Sequence, residues 1–193
     1  SCCLTTPPIL WLDQGRPFTF QTGETPWLAH KAPGRRWRLG SNPLTGILDS
    51  NCYAVARLAC FCDNAFADAQ QEQAALCAAD GTLYRDGSGR RWLDPSKPGT
   101  LRYITDLAKE CAQMGFDEIL LDWFLYPISG DQSALELPAD KTVVLKDFAQ
   151  ALEKQLPEGT VLSVVLRQTP SADNGVTEEL LASCFERVYV LPD

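Results

Sequence analysis

Two acids in this chain close apolar runs of the kind that form buried strands. Asp122 ends the run Phe116-Asp117-Glu118-Ile119-Leu120-Leu121, and Asp63 ends the run from Tyr53 to Cys62. In parallel α/β folds, ligands bind beyond the carboxyl ends of the strands. A pair of carboxylates at such an edge can cleave a glycosidic bond. One protonates the leaving oxygen and the other attacks or activates water, at separations of about 5 Å or about 6.5–9.5 Å depending on stereochemistry. Aromatic residues crowd the same positions. Trp123, Phe124 and Tyr126 follow Asp122 directly, and Trp92 and Asp94 lie in a loop further back. Sugar rings present C–H faces that stack on aromatic planes, so Trp92, Asp94, Trp123 and Tyr126 are candidates for a sugar platform.

Each candidate also has a plainer reading. Asp122 is a catalytic nucleophile or general acid, or else a strand-end acid that pairs with an arginine. Asp63 is the second carboxylate, or the N-cap of a helix beginning at Asn64. Arg57 lies mid-strand, where a buried guanidinium needs a partner. Glu118 on a neighbouring strand is the expected one, and a substrate-binding role is the alternative. Trp92 and Trp123 form the platform, or they pack loops onto the rim. The lone His30 has no visible metal or triad set around it and reads as an ordinary residue. Asp86-Gly87-Ser88-Gly89 lacks the strand-turn-helix setting of a phosphate loop, and no Gly-x-Ser-x-Gly elbow occurs. Two carboxylates supply both acid and nucleophile, so the chemistry calls for no cofactor and no metal.

The elements that must position these residues follow from periodicity. Tyr53 to Phe61 is apolar on both faces, as a parallel strand covered on each side should be. Asn64 to Ala79 is helix-like, and Asp80 to Asp94 is a loop. Pro98 to Met114 places Leu101, Ile104, Leu107, Ala108 and Cys111 on one helical face, with Gly115 as its C′ residue. Strand Phe116 to Asp122 comes next. After a loop, Thr142 to Leu156 is a helix ended by Pro157-Glu158-Gly159. Thr160 to Leu166 is a strand, and Thr177 caps a helix with Glu178 and Glu179 in its first turn. Arg187 to Leu191 is the last strand. Residues 1–50 form an irregular N-terminal segment, in which Ile9 to Leu12 and Pro17 to Gln21 read as short strands and the stretch from Lys31 to Pro43 carries turn signals. Residues 51–193 form a barrel-like domain, and the two parts read as one structural domain overall.

Alternating strands and helices give a parallel sheet with right-handed crossovers. The closed form, the TIM-type (β/α) barrel, usually takes about 250 residues. The chain has 193. The fold class is therefore α/β, a (β/α) barrel that is partial or distorted. The chain starts at Ser1 and ends at Asp193 just after a strand, which reads as a piece of a larger unit whose incomplete sheet edge could mediate oligomers.

Composition narrows the partners. The hydrophobic fraction of 45% supports a substantial core. A net charge of -8 argues against nucleic acid, which favours a basic face. No apolar run approaches the ~20 residues of a membrane span, and no signal peptide is present, so the chain does not encode its localisation. The eight cysteines include no Cys-x-x-Cys pair. They read as mostly reduced and buried thiols, with a disulfide among Cys2, Cys3 and Cys52 left open.

Three segments together resemble a known family: Tyr53-Ala-Val-Ala-Arg-Leu-Ala-Cys-Phe-Cys-Asp63, Trp92-Leu-Asp-Pro95, and Lys109 through Asp122 with Tyr126-Pro127. They are similar to the bacterial putative glycosyl hydrolase domain, a barrel family related to the α-glycosidases. The resemblance covers about residues 52 to 166. It implies a glycoside hydrolase acting on a polysaccharide or glycan, and a secreted or cell-surface setting. The chain departs from the family pattern twice. An Arg-Phe-Pro ending is replaced by Leu125-Tyr126-Pro127, and Ser163 is followed by Val164 rather than by an acid. Both departures point to the alternative, a carbohydrate-binding or protein-interaction module on a degenerate barrel.

Overall fold

The computed structural model describes the backbone of Ile9–Trp11 and all of residues 53–190. The expected strand at Pro17–Gln21, the turns between Lys31 and Pro43, His30, and Cys2, Cys3 and Cys52 lie outside the described residues. Five parallel strands pair in strict sequence order. They are β1 (Ile9–Trp11), β2 (Val55–Ala59), β3 (Glu118–Asp122), β4 (Val161–Leu166) and β5 (Arg187–Val190). Sequential order means that every crossover steps the same way. Because crossovers are right-handed, the connecting helices among the described residues fall on one face, as in a barrel and unlike a doubly wound sheet. Among the described residues the sheet does not close: β1 and β5 are its edges.

Alternation along the strands sorts the residues between the two faces. Ala56, Leu58, Ile119, Leu121, Leu162 and Val164 point to the helical side. They pack against α3 (Pro98–Gln113) through Ile104, Ala108 and Cys111, and against α4 (Lys141–Glu153) through Leu145, Phe148 and Leu152. Leu180, Leu181 and Cys184 of α5 (Glu178–Cys184) complete that core. Val55, Leu120 and Val165 form a smaller cluster on the opposite face, which lines the interior of a barrel. Cys60, Cys62, Cys111 and Cys184 are free and buried, and Cys77 is free and half-buried.

The helix expected over Asn64 to Ala79 is shorter and broken, into α1 (Asn64–Ala69) and α2 (Gln71–Ala74). Gln70 leaves the helical region at φ -130, and Ala75 is extended. Propensity yields here to tertiary pairing, because Ala75 bridges Leu93 and the Leu76 amide donates to the Trp92 carbonyl. Further antiparallel bridges, Cys77 to Leu83 and Arg85 to Arg91, shape residues 75–93 into a small flap after β2. Gly115 takes φ +98 just past α3, the left-handed residue that ends a helix.

One buried cluster anchors the lower part of the interior face. Glu118 is fully buried and accepts from Tyr53, from Ser163 and from Arg187. Register explains the convergence, since Val55, Glu118 and Val161 lie in one row and Ser163 stands beside Arg187.

Candidate functional site

Asp122 is the last residue of β3, on the interior face, and only 5% exposed. Its carboxylate accepts five hydrogen bonds. Oδ2 takes Arg57 Nε at 2.9 Å, Arg57 Nη2 at 2.5 Å and Arg167 Nη2 at 2.7 Å. Oδ1 takes Arg167 Nε at 2.5 Å and the Trp123 amide at 2.8 Å. Burial alone would raise its pKa. The hydrogen bonds and charge of Arg167, followed by the charge and hydrogen bonds of Arg57, outweigh burial and hold the carboxyl below the usual range. The shift favours the ionised form, which can attack or stabilise positive charge, and disfavours the protonated form that a general acid needs.

Arg57 therefore pairs with Asp122 and not with Glu118, as the sequence suggested. It stands opposite Leu120, with one acid two residues to either side on the same face. Arg187, arriving on β5, occupies Glu118 and leaves Asp122 to Arg57. Arg167 was not singled out from the sequence. It follows β4 with the parity of Ser163 and Val165, so alternation alone placed it on the site's face. The cation missing from the Leu125-Tyr126-Pro127 ending is thus matched by cations from other segments.

Asp63 caps α1. Its Oδ1 accepts from the amides of Ala65 and Phe66, both at 2.9 Å, and Oδ2 accepts from Tyr103 Oη at 2.9 Å. Tyr103 in turn stacks on Phe66, with ring centroids 3.6 Å apart. Asp94 accepts from the amide and hydroxyl of Ser96 in a tight turn before α3. It borders a cleft of about 630 Å³ that also contains Glu72, Lys97 and Glu136.

The aromatic residues divide. Trp92 is 2% exposed, donates its indole N–H to Asp86 at 3.1 Å and meets Trp123 edge-on. Tyr126 is wholly buried, and no hydrogen-bond partner for its hydroxyl occurs among the described residues. Neither presents a ring face to solvent. Trp123 is half-buried and adopts φ 55, a left-handed backbone that a bulky residue rarely takes and that is met most often at functional positions. Two guanidinium groups lie over its ring, Arg167 at 4.1 Å and Arg90 at 4.5 Å. Arg90 comes from the flap, where its Nε holds Asp86 at 2.8 Å. Asp86 also accepts from the Ser88 and Arg90 amides, which fixes the turn. Cys62 lies in the field of Arg90, Asp86, Asp63 and Arg167, and burial pushes its thiol up to about 11. It is not a nucleophile near neutral pH. Among the described residues no group of three or more His, Cys, Asp or Glu could hold a metal, and no helix is long and apolar enough to cross a membrane.

Known proteins share this arrangement of strands. A hypothetical protein from Ruminiclostridium thermocellum ATCC 27405 is 31% identical with a TM-score of 0.52, over 63% of this chain and 62% of its own. The Thermus thermophilus α-galactosidase TtGalA, solved with stachyose, is 20% identical with a TM-score of 0.50, over 72% of this chain and 28% of its own. A variant of the glycoside hydrolase domain of PelA from Pseudomonas aeruginosa is 18% identical with a TM-score of 0.51, over 76% of this chain and 53% of its own. The chain thus spans less than two thirds of each. The two glycosidases support the fold, an α/β parallel sheet of the barrel type. No curated protein matches the chain. The family model described as a putative glycosyl hydrolase domain matches residues 41–167, well over half of the sequence. The chain belongs to the putative glycosyl hydrolase domain family.

Proposed function

We propose that this chain acts on a polysaccharide or glycan as part of a glycoside hydrolase, with Asp122 as the ionised carboxylate facing the anomeric carbon. One observation carries the reading. A buried acid stands at the carboxyl end of a barrel strand and is held below the usual carboxylate range by Arg57 and Arg167. An oxocarbenium-like transition state needs a carboxylate of that kind beside it. Arg57 is the deeper cation and fixes the carboxylate. Arg167, a quarter exposed, is the one that substrate can displace to free a lone pair on Oδ1.

The general acid must be a different group. Asp63 is engaged as the cap of α1, with both of its carboxylate oxygens accepting hydrogen bonds. Leaving groups that depart without a proton bypass that requirement. The test is therefore a panel of 2-deoxy-2-fluoro glycosyl fluorides. An Asp122 oxygen attacks C1, the C–F bond breaks, fluoride leaves with the electron pair, and a glycosyl ester remains on the protein. Mass spectrometry should find the adduct on the peptide carrying Asp122 and none in Asp122→Asn. Failure of every sugar to label Asp122 would refute the nucleophile assignment.

A second reading has its own support. With five donors on one carboxylate, Asp122 is fully occupied in the resting state. A carbohydrate-binding module on the same scaffold would bind glycans in equilibrium dialysis and show no labelling.

A further inference from the structure

We infer that the mouth around Trp123 recognises an anionic substituent on the sugar, a carboxylate or a sulfate ester, through Arg90 and Arg167. The inference rests on the proposed glycoside hydrolase reading and specifies its substrate class.

The first argument is charge. Three arginines, Arg57, Arg90 and Arg167, gather at the Asp122–Trp123 step and face two carboxylates, Asp122 and Asp86. Asp63, which shares the field around Cys62 with Arg90, Arg167 and Asp86, brings the carboxylates to three, so the arginines are matched in number; what stands out is their clustering in a chain of net charge -8.

The second argument is the state of the donors. Arg90 uses Nε on Asp86, and Arg167 uses Nε and Nη2 on Asp122. Among the described residues, both Nη atoms of Arg90 and Nη1 of Arg167 have no acceptor. Both side chains are partly exposed, at 37% and 25%. A guanidinium is a planar fork of donors that suits carboxylate and sulfate oxygens.

The third argument is distance. Both guanidinium carbons lie over one indole, so they are no more than about 9 Å apart. An oxyanion in hydrogen-bond contact with a guanidinium sits about 4 Å from its central carbon, so the roughly 8 Å that an anion touching both would span is close to that upper bound. The Trp123 ring and the salt bridges to Asp86 and Asp122 hold the two forks before any ligand arrives. A neutral sugar would leave these donors to water. An anionic one would satisfy them beside the carboxylate that receives its anomeric carbon.

The experiment compares matched 2-deoxy-2-fluoro glycosyl fluorides that differ only at C6: hydroxymethyl, carboxylate and sulfate ester, in the gluco and galacto series. The rate of labelling at Asp122 is read for each by intact mass. The expected result is that at least one anionic member labels about tenfold faster or more than its neutral partner. Whichever of carboxylate and sulfate reacts faster identifies the source of the charge. Arg90→Gln should shrink the preference. Arg102→Gln, which removes an equal charge from an exposed position of α3, should preserve it. Equal or faster labelling by the neutral sugars overturns this inference and leaves the hydrolase reading standing. An equal loss of preference in Arg102→Gln also overturns it, because bulk charge would then be the cause. No labelling by any member refutes Asp122 as the nucleophile, and this inference, which rests on that role, falls with it.

Discussion

Replacing Asp122 by Asn tests the electrostatic account of the site directly. The change is nearly isosteric, but it removes the one negative charge that two guanidinium groups share. It also turns one of the two oxygens into an NH2 that faces donors. Arg57 is 4% exposed and cannot move to water without opening the sheet. Breaking a buried ion pair from one side costs about 3–5 kcal/mol. Arg167 can relax toward solvent, so its share of the loss is smaller. Against a total stability of about 5–15 kcal/mol, the variant should lose a large fraction of its reserve. At roughly 2–4 °C per kcal/mol for a chain of this size, the midpoint should fall by about 6–20 °C. The assay is urea unfolding of both proteins across pH. Asp122 has a depressed folded pKa, so its stabilisation is present above the unfolded value near 3.8 and is lost as pH falls through the lower folded value. The wild type should therefore weaken on acidification by more than the variant, and the two curves should converge at the acid end. A loss below about 1 kcal/mol at pH 7, or parallel curves at all pH values, would refute the claim that this carboxylate neutralises a buried cation.

Two other perturbations separate structural from chemical roles. Asp63→Ala removes the cap of α1 and strands the half-buried Tyr103 hydroxyl, so urea unfolding should register a loss of about 0.5–2 kcal/mol, and an unchanged midpoint would contradict the cap. Alkylation mapped by mass spectrometry at pH 8 should modify Cys77 before Cys62 or Cys111. Burial pushes the last two thiols up to about 11 and about 12, and early modification of either would show that the site opens in solution.

The strand and helix order, the helix cap at Thr177, the turn at Gly115 and the placement of Asp122 at a strand's carboxyl end were legible in the sequence, because each depends on residues close together in the chain. Alternation of apolar residues needs only neighbours two apart, and a cap needs only the next turn. The family resemblance rested on the same local runs, residues 52 to 166, and the family match covers residues 41–167. The break between α1 and α2 was not legible, since Ala75 leaves the helix to pair with Leu93, a residue that local propensity does not see.

The deciding features of the site were equally non-local. Sequence put Arg57 on one face with two acids, Glu118 and Asp122, and pointed to Glu118, whereas the structure pairs it with Asp122. The choice was made by Arg187, which joins the sheet two strands away and takes Glu118. Sequence also named Trp92, Trp123 and Tyr126 as equivalent aromatics. Only the folded flap buried Trp92 on Asp86 and brought Arg90 over Trp123. The chain by itself thus determined which residues lie on which face of which strand, because side-chain direction follows backbone period. Tertiary structure decided which charges meet, because ion pairs form between segments whose separation along the chain carries no information about their separation in space.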